Sequence, residues 1–83
     1  MSWKDHKVPT EHEGERCRVA YYKYGATSID VVGYDYGIIR SGVWGKRTDA
    51  LIGYAVSYDF DQRFNNDPDK EHFASARDVE ILD

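Results

Sequence analysis

An all-β domain, folded as a small, partly open five-stranded antiparallel barrel, is predicted by three observations. Runs in which large apolar residues alternate with polar or small ones recur along the chain. Turn-forming Gly, Asn and Asp separate these runs, and no amphipathic helix of three turns can be drawn without crossing a glycine or a β-branched stretch. The 83 residues have room for one domain with a modest core. Five short strands are too few for a sandwich and too many for a lone hairpin.

Residues 1–15 are polar, carry Pro9 and end in Gly14-Glu15, which predicts a flexible or loosely docked N-terminal arm ahead of a barrel spanning 16–83. Trp3 and Val8 are its large apolar groups, and one of them is expected to cap an open end of the core. From Arg16 to Tyr24, alternation puts Cys17, Val19 and Tyr21 inward and Arg16, Arg18, Ala20, Tyr22 and Tyr24 outward, and Gly25 ends the run. In the second run, Ser28 to Tyr36, Ile29 and Val31 take the inner parity and Asp30, Tyr34 and Tyr36 the outer, with Gly37 as the break. The third run, Ile38 to Trp44, contains Gly42 and predicts a bulge or tight bend.

The strongest alternation is Ile52, Tyr54, Val56, Tyr58 and Phe60 against Gly53, Ala55, Ser57 and Asp59. Large residues there fill a core while small ones let a neighbouring element approach. Residues 61–71 read as a charged, turn-rich loop. A last run, His72 to Leu82, carries Val79 and Ile81 on one parity, with one short helical turn near Ser75 to Asp78 before the final strand.

The segments Gly14 to Val19, Tyr54-Ala55-Val56-Ser57-Tyr58-Asp59 and Ala76-Arg77-Asp78-Val79-Glu80-Ile81-Leu82 together resemble the Src-homology or Tudor class of small barrel, and Tyr34-Asp35-Tyr36-Gly37 is also Tudor-like. By analogy the resemblance implies a binding role toward peptides, modified side chains or nucleic acid, and it assigns no site residue.

Eleven Lys and Arg face fifteen Asp and Glu, a net charge of −4. That balance lacks the basic footprint of a duplex-DNA binder. The charge is uneven: residues 16–25 carry +3 and residues 59–83 carry −5. The single cysteine, Cys17, has no disulfide partner and falls on the inner parity, so a buried, reduced thiol and a cytoplasmic protein are expected. Neither a signal-peptide apolar core nor a membrane-length apolar run is present.

Catalysis is not expected: His6, His12 and His72 lie in the arm or beside a charged loop, away from an exposed nucleophile. No metal or other cofactor is expected either. Asp59, Asp61, Asn65, Asp67, Asp69 and Glu71 crowd oxygen ligands together, but an EF-hand begun at Asn65 has Lys70 where glycine is required and Ala76 where the bidentate glutamate belongs. The glycines interrupt strands and make no phosphate loop.

Seven tyrosines and two tryptophans exceed what so small a core can bury. Tyr22, Tyr24, Tyr34, Tyr36 and Trp44 fall on outer parities beside Arg18 and Arg40, and these residue types are enriched at interface hot spots. The expected function is a non-enzymatic protein that docks a protein partner through this surface, with Asp59, Asp61, Asp67, Asp69 and Glu71 steering a basic partner surface. One form of this is a small virus- or mobile-element-type inhibitor of a host nuclease or defence complex. The alternative is a single-stranded nucleic-acid binder that stacks bases on the tyrosines and takes phosphates on Arg16, Arg18 and Lys23. Either monomer or homodimer is compatible, since an edge strand offers a pairing surface.

Overall fold

The computed structural model describes residues 3–24, 29–59 and 70–82. Among them the protein is all-β: six antiparallel strands and two 3-10 turns, with no α-helix. The strands are β1 (Lys7–Val8), β2 (Arg16–Tyr24), β3 (Ile29–Gly45), β4 (Ala50–Tyr58), β5 (His72–Ser75) and β6 (Val79–Ile81). The sheet runs β5-β4-β3-β2-β6, with β1 also on β3. No helix among the described residues is long and apolar enough to cross a membrane.

The two edge strands, β5 and β6, are neighbours in sequence, joined by the 3-10 turn Ala76–Asp78. A three-residue link lets the end of β5 and the start of β6 lie at most about 14 Å apart. The sheet is therefore rolled until its edges approach, yet no ladder joins β5 to β6, and the barrel stays open along that seam.

A single 17-residue strand, β3, replaces the two runs expected on either side of Gly37. Gly37 does not end a strand because its role is close approach. A Cβ there would lie 2.5 Å from the Ser57 carbonyl oxygen and 3.0 Å from Tyr58 Cα. Register shifts at Ile39/Ser41 and Val43/Trp44 bracket Gly42, in keeping with the bulge expected there. The β2 side of β3 is filled in sections. β2 pairs as far as Ile38, Gly14 N–H and the Glu15 carbonyl bond to Ile39, and Lys7 and Val8 pair with Val43 and Gly42. The sixth strand thus comes from the N-terminal arm, whose Gly14 turns with φ of 85°.

Cys17, Val19, Ile39, Val56 and Ala74 form the core, flanked by Tyr54, Tyr58, Val79 and Ile81. Three residues assigned inward by simple alternation are exposed. Tyr21 keeps the Cys17 parity but sits where the barrel is open, lying across Gly33 in the manner of an aromatic covering a strand glycine. Val31 is turned outward because the bulge at Tyr21/Tyr22 skips Val32 and pairs Val31 with Tyr22. Ile52 falls in the Val43/Trp44 irregularity and covers Gly45. On β4, Gly53, Ala55 and Ser57 are buried as well as Val56. Their face is also that of Phe73, against which Trp3 packs at 6.1 Å between ring centres.

Candidate functional site

Arg16, Arg18 and Ala20 on β2 stand opposite Ile38, Tyr36 and Tyr34 on β3, and this row forms the outer face of the sheet. Its inner-face counterparts, Cys17 and Val19, are locked in the core, so the row is held on a doubly paired, rigid strand. Tyr34 and Tyr36 keep 41% and 45% of their surface exposed, and Val31 and Val32 extend the apolar area along β3. The Arg18 guanidinium lies 4.0 Å from the centre of the Tyr34 ring, a cation–π contact, while its Nε donates to the Glu80 carboxylate on β6. Hydrogen bonding to Glu80 raises the Arg18 pKa further above its ordinary value.

Arg16 makes a two-pronged pair with Asp59, both N–O distances being 2.5 Å. Hydrogen bonding from Arg16 holds the Asp59 carboxyl below its usual range. A phosphate approaching Arg16 or Arg18 would have to displace Asp59 or Glu80, so these two arginines of β2 are neutralised within the chain.

The other residues singled out in the sequence divide among separate places. Tyr22 donates its hydroxyl to Asp78 Oδ1 at 2.8 Å, which raises its phenol pKa and turns the ring toward β6. Trp44 lies about ten residues beyond Tyr34, roughly 33 Å of extended chain. There it pairs with Leu51, and the two form an exposed apolar patch with Ile52 at the end of the β3–β4 hairpin. Arg40 is exposed at the first β3 bulge. Tyr34, Tyr36 and Arg18 are therefore brought together, and Trp44 belongs to a second patch.

Glu71 binds Lys7 Nζ at 2.8 Å, and Asp59 is held by Arg16, so two of the acidic groups are engaged within the chain. Asp61, Asp67 and Asp69, with Phe60 and most of the expected acidic loop, lie outside the described residues, as do the Gly25 break and the side chains of Tyr24 and Lys23. His12 bonds Glu15 at 2.8 Å through Nδ1. Among the described residues no three His, Cys, Asp or Glu side chains gather as metal ligands.

Sequence alternation did not single out Asp35 or the 3-10 turn residue Asp78 as site residues. Asp35 takes the inner parity opposite Val19, in a position where alternation calls for an apolar group. A carboxylate on the inner side of a strand was the available signal. In comparison with known proteins, no family model, curated protein or solved structure matches this chain.

Proposed function

We propose that the chain is a non-enzymatic binding protein that docks a protein partner through the outer face of β2 and β3. The observation that carries this reading is the exposed row of Tyr34 and Tyr36 on β3 with Arg18 stacked on Tyr34 from β2, whose Cys17 and Val19 lie in the core. Pre-ordered aromatic rings lose little side-chain entropy on binding, and Tyr and Arg are the residue types that dominate interface energetics. Val31 and Val32 add apolar area to the same strand. The net charge of −4 favours a partner with a basic surface. The resemblance to Src-homology barrels supports a binding role by analogy.

A small acidic fold of this kind suits an inhibitor that occupies the basic channel of a nuclease or defence complex, and competition with nucleic acid for such a complex is the mark of that form.

The test is affinity capture from the native host with the wild-type chain and with Tyr34→Ser/Tyr36→Ser, each with and without nuclease. A partner that survives nuclease and is lost in the double variant is the expected result. Capture that vanishes with nuclease, or is unchanged in the folded double variant, overturns this reading.

A further inference from the structure

The unclosed seam of the rolled sheet contains a cleft of about 470 Å³ between β2 and β5. Its floor is Val19 and Ala74, both core residues, and rings of Tyr21, Tyr58 and His72 stand around it. Two carboxylates, Asp35 and Asp78, complete it, and among the described residues no lysine or arginine lines it.

Asp35 is half-buried on the inner parity, and among the described residues no hydrogen bond or ion pair engages it. Val19, opposite Asp35 on one side, pairs on the other with Val79, the residue after Asp78. The two acids thus flank β2, with backbones about two strand spacings, or roughly 10 Å, apart. Asp78 is oriented by the Tyr22 hydroxyl, and Arg77 Nε lies 3.9 Å away on a side chain that is almost fully exposed. A half-buried carboxylate among aromatic rings is a complementary place for an arriving cation. Among the described residues β5 is laddered to β4 on one side, and β6 covers β2 from Cys17 to Val19.

We infer that this cleft receives a basic side chain, arginine or lysine, from an extended segment of the protein partner. The aliphatic stem lies on Val19 and Ala74, and the cationic head meets Asp35 and the ring faces. The segment's backbone bonds along the open β5 edge. This assignment rests on the protein-docking reading and names the chemistry of that partner. It uses the inner side of the sheet, whereas Tyr34 and Tyr36 use the outer side.

The test is titration of the full chain with two fluorescein-labelled octapeptides, one alternating Gly and Arg, the other Gly and Gln, at an ionic strength of about 0.15 M. Amide shifts in ¹⁵N-labelled protein locate the binding. The Arg peptide should bind, shift the amides of Val19, Asp35 and Ala74, and lose about tenfold or more in affinity in Asp35→Asn, while the Gln peptide does not bind. Tyr21→Arg, which places a tethered guanidinium diagonally from Asp35 on an exposed position, should block the peptide and serves if Asp35→Asn does not fold. Equal binding of the two peptides, no binding of either, amide shifts elsewhere, or undiminished affinity in either folded variant overturns the assignment. Each of these leaves the outer-face reading standing, because Tyr34→Ser/Tyr36→Ser tests that face with the cleft intact.

Discussion

Arg18 lies over the ring of Tyr34 at 4.0 Å from its centre while Glu80 holds the same guanidinium from the other side. The arginine is thereby a bracket across three strands, β6, β2 and β3, and it sets the orientation of the exposed tyrosine. A double-mutant cycle between Arg18→Met and Tyr34→Leu should show favourable coupling in urea unfolding, whereas additive effects would mean that the contact carries no energy. Glu80→Gln should weaken that coupling, since it releases the Nε end.

Gly37 and Gly33 should respond differently to the same substitution. At Gly37 the added methyl meets backbone, the Ser57 carbonyl at 2.5 Å, and Gly37→Ala is expected to cost about 2 kcal/mol or more in urea unfolding. At Gly33 the obstacle is the end of the exposed Tyr21 side chain, which can swing away, so Gly33→Ala should cost about 1 kcal/mol or less. Equal costs would show that the β3–β4 crossing is looser than the structure has it.

Cys17 is fully buried, and burial pushes its thiol pKa up. Its reaction with a water-soluble disulfide reagent should therefore be slow in the folded protein and become fast on adding urea. Cys17→Ser should destabilise by about 1–3 kcal/mol by burying a hydroxyl, with Cys17→Ala costing less. Fast labelling of the native state would contradict the core placement.

Two groups give stability a pH dependence of opposite sense. Asp59 has its folded pKa lowered by Arg16, so the pair's contribution is present above the ordinary carboxylate value and is lost as pH falls through the lowered one. Asp59→Asn should flatten the acid limb of a melting-temperature profile, by an amount that shrinks with salt because the pair is exposed. Tyr22 has its phenol raised by Asp78, so its contribution is complete below the ordinary phenol value and is lost as pH rises through the raised one. Tyr22→Phe should remove a late-ionising phenol from an ultraviolet titration and flatten the alkaline limb. An unchanged profile in either variant would show that its hydrogen bond does not persist in solution.

Alternation along the chain was enough to determine the β class, the inward placement of Cys17, Val19 and Val56 and the outward tyrosines Tyr34 and Tyr36, because side-chain direction in a paired strand follows from a period of two. What tertiary structure alone decided lies where that period is broken or closed from a distance. The bulge that skips Val32 reversed Val31, and close packing against Ser57 let β3 run through Gly37. The arm supplied a sixth strand because β3 extends past the start of β2 and needs pairing there. Trp44 parted from Tyr34 because both lie on one long strand, and Asp35 and Asp78 line one cleft because β3 and β6 both pair with β2 at Val19. Bulges and curvature depend on contacts between residues far apart in the chain, and local alternation does not record them.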